Sequence, residues 1–124
     1  MHNSSPITFI AWERANLAAV RDVLAGLQRD GIYLRRDHLL METSWLGTGA
    51  RDFYATAWRW DAQDCPLFYD LARRGKLLIT ISDTVISCGD KDDIADARDG
   101  IAQVLIAAQD PQQLSGLLAD APED

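Results

Sequence analysis

The residues with chemical potential are few: two histidines, His2 and His38, two cysteines, Cys65 and Cys88, and an acidic stretch that begins at Asp90. His38 has no second histidine at metal-ligand spacing and no cysteine near it in the sequence, so neither a zinc site nor a general base is indicated there. Cys65 sits between Asp64 and Pro66 at the start of an expected helix. Helix N-termini lower thiol pKa values, but Asp64 opposes thiolate formation and no nucleophile motif surrounds the pair. Cys88 follows an apolar run and reads as buried. The two cysteines lack C-x-x-C spacing, so two reduced thiols are the expectation.

The run Asp90-Lys91-Asp92-Asp93 opens like a calcium loop, but Ile94, Ala95 and Ile101 stand where an EF-hand needs Asp or Asn, Gly and Glu. Gly47-Thr48-Gly49 lacks the lysine of a phosphate-binding loop, and no G-x-S-x-G or G-x-G-x-x-G occurs. The sequence therefore assigns no catalytic residue, no cofactor and no metal, and the chain reads as a non-enzyme.

What remains is charge. The chain of 124 residues carries a net charge of −7. Residues 1–62 hold seven basic and seven acidic side chains, whereas residues 63–124 hold five basic and twelve acidic ones. A one-sided acidic half attracts cationic partners. It lacks the clustered Lys and Arg that phosphate contacts require, so no nucleic-acid partner is expected. No run of 18 apolar residues exists, so no membrane partner is expected either. Asp outnumbers Glu sixteen to three and Arg outnumbers Lys ten to two, the bias of a GC-rich bacterial genome. With no basic n-region or cleavage site in MHNSSPITFIAW, the expected compartment is the cytoplasm.

The elements that must position this charge centre on Lys76–Asp110. Leu77, Ile79 and Ile81 alternate with Leu78, Thr80 and Ser82, the period of a strand, and Asp83-Thr84 turns the chain into a second short strand, Val85–Cys88, or bends a single one. A helix then begins near Lys91–Asp93. Its apolar face is Ile94, Ala97, Ile101, Val104, Leu105 and Ala108, and Asp92, Asp96 and Asp99 project opposite. Upstream, PITFI reads either as a short edge strand with Pro6 at its start or as a helix opening. Leu17, Val20, Leu24 and Leu27 predict a helix from about Glu13 that ends at Asp30-Gly31. Ile32 and Leu34 alternate with Tyr33 and Arg35 as a strand does, and Asp37–Trp45 reads either as a second strand or as one helical turn.

Asp52–Asp61 predicts a strand with Tyr54, Thr56, Trp58 and Trp60 on one face. That face is either core or an exposed aromatic platform. Asp64-Cys65-Pro66 opens a helix closed by Arg73-Arg74-Gly75, and Asp110-Pro111 starts a last one over Gln112–Ala119.

The expected fold is α+β in a single domain over residues 1–124, with loose termini at 1–5 and 120–124. It comprises a small, mostly antiparallel sheet of three to five strands with helices packed on one face. The function class these features fit is a protein-binding module, a bacterial immunity protein or antitoxin, monomer or homodimer, that neutralises a basic toxin such as a nuclease. Asp90, Asp92, Asp93, Asp96 and Asp99 supply the charge, and Trp58 and Trp60 the apolar anchors. Two alternatives stand beside it. One is a small acidic chaperone of the type III secretion kind, by fold-level analogy over residues 11–30, 52–60, 76–88 and 92–109. The other is a small enzyme of unknown chemistry.

Overall fold

The computed structural model describes residues 6–11, 16–43, 54–81, 84–88 and 105–119. The acidic row Asp90, Asp92, Asp93, Asp96 and Asp99 and the helix expected to carry it lie outside the described residues. Strand β1 spans Ile7–Ala11 and helix α1 Leu17–Leu24, followed by strands β2 at Gln28–Asp30, β3 at Tyr33–Arg36, β4 at Leu39–Thr43 and β5 at Tyr54–Arg59. A single 3-10 turn at Ala62–Asp64 leads into helix α2, Cys65–Gly75. Strands β6 at Leu77–Ile81, β7 at Thr84–Ser87 and β8 at Leu105–Ala107 follow, and helix α3, Pro111–Ala119, comes last.

The class is α+β, but the sheet is not the small one expected. Eight strands of the described residues form one sheet in the order β2-β3-β4-β5-β1-β6-β7-β8. The sheet is mixed: β7 and β8 are parallel neighbours and every other pair is antiparallel. Three local causes account for the extra strands. The periodicity through Leu27 suggested a long first helix, yet α1 stops at Leu24 and Gln28–Asp30 turns back as β2. Gly31, at φ +65, is not a helix stop but the first residue of the two-residue turn between Asp30 and Tyr33. Asp37, at φ 57, does the same work between Arg36 and Leu39, which Asp tolerates better than most residues. At the other end, Leu105–Ala107 is a strand rather than the end of a helix. PITFI is also placed differently, because β1 is central, paired with both β5 and β6.

The register assigns the faces, since cross-strand partners share a side. Ile7 and Phe9 pair with Ala57 and Ala55 on β5, and Phe9 also pairs with Ile79 on β6. All five side chains are buried, and they form the floor on which α2 lies. Phe68 of α2 meets Phe9 at a tilt of 59° with ring centroids 5.4 Å apart, and Trp60 meets Phe68 edge-on at 6.1 Å. Such pairs add about 0.5–1.5 kcal/mol each beyond the area they bury.

Trp60 reaches this core because β5 is irregular. Leu40 pairs with Arg59 but Met41 pairs with Ala57, so Trp58 is an extra residue. A bulge reverses the alternation beyond it. Tyr54, Thr56 and Trp58 keep one side, as expected, and Trp60 does not join them. Trp58 is 47% exposed and Trp60 only 4%.

Helix α1 starts at Asn16, whose side chain accepts from the Ala19 N–H at 3.2 Å. It packs against α2 at Gly75. The Asn16 N–H donates to the Gly75 carbonyl at 2.9 Å, and a methyl group on Gly75 would lie 2.8 Å from Val20 Cγ2. Gly75 is thus the last helical residue and a close-approach site, while the left-handed cap is Lys76 at φ 57. Arg74 bridges Asp22 of α1 and Asp70 of its own helix. These ion pairs are exposed and contribute little. Asp110 and Pro111 begin α3 as the sequence predicts, with Asp110 Oδ1 accepting from the Gln113 N–H at 2.7 Å. No helix among the described residues is long and apolar enough to cross a membrane.

Val20 is fully buried and stiff at its β-carbon, so it cannot swing away from a new methyl group. Gly75→Ala should therefore lower stability by about 1–3 kcal/mol by overpacking, read as a fall in the urea midpoint at unchanged slope.

Candidate functional site

Two features of the described residues can do chemistry or recognition. The first is built where the β3–β4 turn meets the start of α2. His38 occupies the second position of the tight turn whose first residue, Asp37, is left-handed. Its Nε2 lies 2.9 Å from Asp61 Oδ2 and 3.7 Å from Asp64 Oδ2. The two carboxylates are held by the backbone. Asp61 Oδ1 accepts from the Gln63 N–H at 3.0 Å, and Asp64 Oδ2 accepts from the Asp61 N–H at 3.0 Å, a reciprocal capping box around the 3-10 turn. Asp64 therefore caps the turn and not α2, for which it makes no side-chain cap bond.

Asp64 is 4% exposed. Burial, the largest influence, raises its pKa, and neighbouring Asp61 raises it further; the Asp61 N–H, His38 and Arg36 act in the other direction. His38 Nε2 is shielded from solvent yet makes no hydrogen bond. Its 2.9 Å approach to Asp61 is an ion-pair distance without a hydrogen bond. His38, Asp61 and Asp64 each offer one metal-ligating atom, and these atoms lie within 4.8 Å of one another.

The sequence conceals this cluster because His38 has no histidine or cysteine near it, whereas its companions are carboxylates more than twenty residues downstream. The available signal was Asp61-x-x-Asp64 just before a helix, which marks a capping box and hence two carboxylates of fixed direction.

Cys65 adjoins the cluster but is not poised to react. It is buried, and desolvation raises its thiol pKa; Asp64 and Asp61 raise it as well, against a lowering hydrogen bond with Ser115 of α3. Burial pushes the Cys88 thiol up to about 12. A shallow groove lined by Arg21, Leu24, Ala25, Leu27, Arg29 and Leu34 includes neither His38 nor Cys65.

The second feature is the sheet face away from α2. Tyr33 pairs with Glu42, and Glu42 with Thr56, so all three share that face. Tyr54 and Trp58 join them: Thr56 Oγ1 lies 3.3 Å from the Tyr54 hydroxyl, and Trp58 Nε1 donates to Glu42 Oε1 at 3.1 Å. Tyr33, Tyr54 and Trp58 are 37%, 47% and 47% exposed. Of the two tryptophans expected as anchors, Trp58 stands on this face and Trp60 lies in the core. Tyr54 stands on the face expected from the strand's alternation, and Tyr33 joins it only through the pairing of β3 with β4. Searches for related proteins found no matching family model, no matching curated protein and no matching solved structure.

Two outcomes follow. Both thiols should resist a disulfide reagent at pH 8 in the native protein and react at once in denaturant; a fast native phase would mean that Cys65 is accessible and ionised. For Asp64, a folded pKa above 3.8 means that the native state holds its proton more tightly than the unfolded chain. The stability it contributes is complete below pH 3.8 and is lost as pH rises through the folded value. Asp64→Asn in chelator should then gain stability relative to wild type across that window and keep the gain at neutral pH, measured by urea unfolding at a series of pH values.

Proposed function

We propose that this chain is a protein-binding module that works by docking on a partner, in the manner of an immunity protein or antitoxin that occludes a basic toxin. The observation that carries the reading is the exposed aromatic trio on the sheet face remote from α2. Three large amphipathic rings, Tyr33, Tyr54 and Trp58, stand on strands β3 and β5, which flank β4, with Glu42 of β4 between them. Tyr and Trp are the side chains that dominate binding energy at protein interfaces, because each covers a large area at low entropic cost. The hydrogen bond from Trp58 to Glu42 fixes the indole in place before a partner arrives, which lowers the ordering cost of association. Net charge complements this surface. The excess of aspartate in residues 63–124 attracts a basic partner and accelerates encounter.

The secretion-chaperone alternative maps onto a helix-strand-helix-strand-helix order. That order has no place for the β2-β3-β4 hairpins that make one end of this sheet, so the toxin-directed reading is preferred.

The experiment is capture of the partner from the source cells followed by titration of the purified pair. Trp58→Ala combined with Tyr54→Ala should weaken binding by at least about 30-fold, the effect of losing about 2 kcal/mol of hot-spot energy. Charge reversal at Asp92, Asp96 and Asp99 should slow association and flatten its salt dependence. The captured partner should arrest growth when expressed alone and not when co-expressed with this chain. Equal affinity of the double variant rejects the aromatic face, and a partner that is harmless alone rejects the antitoxin role.

A further inference from the structure

The geometry points to a divalent transition-metal site formed by His38 Nε2, Asp61 Oδ2 and Asp64 Oδ2, clasping the β3–β4 turn to the start of α2. This inference is independent of the partner-docking reading, since none of the three residues belongs to the aromatic face.

Four observations converge on it. The first is the donor set: one imidazole nitrogen and two carboxylates suit zinc, manganese or iron, and the nitrogen disfavours magnesium and calcium, which take oxygen ligands. The second is spacing. Ligands bound at about 2.0–2.2 Å around one ion stand about 3–3.5 Å from each other, and His38 Nε2 is 2.9 and 3.7 Å from the two carboxylate oxygens. The third is an unsatisfied nitrogen. Nε2 is shielded and makes no hydrogen bond, although two carboxylate oxygens lie within 3.7 Å of it. A shielded nitrogen with carboxylate oxygens gathered round it and bonded to none of them is satisfied by an ion that all three share.

The fourth is support from behind the ligands. A metal site depends on outer hydrogen bonds that aim its ligands. The Gln63 N–H holds Asp61 Oδ1 and so turns Oδ2 toward His38, and the Asp61 N–H holds Asp64 Oδ2 from the other side. His38 itself is placed by a two-residue turn with a left-handed Asp37. The three ligands thus stand on three tightly constrained backbone positions. Three protein ligands leave coordination positions for water or for a group supplied by a partner.

The test uses the full chain, stripped with chelator and titrated calorimetrically with zinc chloride and with manganese chloride. A His2→Ala background removes the other histidine. One ion per chain should bind, the melting temperature should rise with metal, and His2→Ala should leave both unchanged. His38→Ala alters a turn position that no core contact depends on; it should weaken binding by at least about 10-fold and abolish the thermal shift. Asp61→Asn, which keeps an oxygen for the Gln63 N–H, should weaken binding likewise. No binding, binding undiminished by His38→Ala, or binding lost with His2→Ala would each overturn the site.

Discussion

One extra residue in β5 governs the layout. Side chains on a strand alternate strictly, so without the irregularity at Trp58 both tryptophans would share a face and one of two environments would be lost. With it, Trp58 stays on the outer face beside Glu42, while Trp60 swings under α2 and edges against Phe68. The same shift sets the point at which the chain leaves the sheet. Asp61 follows Trp60 directly and enters the 3-10 turn already close to the β3–β4 hairpin, which is how a histidine at position 38 comes to face carboxylates at positions 61 and 64. Core, aromatic face and polar cluster therefore share a single geometric cause.

The polar cluster has an electrostatic problem that the backbone only partly solves. Two carboxylates in a reciprocal cap repel one another, and one of them, Asp64, is almost wholly buried. Main-chain N–H groups supply one hydrogen bond to each, and Arg36 and His38 supply positive potential. The arrangement is stiff and negative in a small volume. Such a volume is stabilised by a proton or by a cation, and the imidazole nitrogen selects which kind of cation suits it. On the far face the rings of Tyr54 and Trp58 are held by Thr56 and Glu42.

Much of the local structure was legible in the sequence. Alternation identified β6, a Pro in the first turn and two arginines in the last identified α2, and Asp110-Pro111 identified the start of α3. These features rest on near neighbours in the chain, where residue type and period carry the information. Three others rest on distant pairings and were not legible. Gly31 reads equally as a helix stop or a hairpin turn until β3 is seen to return along β2. Leu105 continues a helical apolar pattern but is claimed by the edge of β7. Trp60 obeys the alternation of its neighbours until the register with β4 breaks. The cluster at His38 is invisible for the same reason: no spacing rule links a turn residue to a cap twenty-three positions later. The acidic row, the most prominent pattern in the sequence, lies outside the described residues.

The border of the sheet formed by β2 has a consequence of its own. It is three residues long, and Gln28, Arg29 and Asp30 all face solvent. A long, flat, apolar border invites another chain to add itself rung by rung, which is the route to fibrils. Here an incoming strand finds only three rungs and must desolvate a cation and an anion to reach them. That end of the sheet, among the described residues, is a poor template for polymerisation.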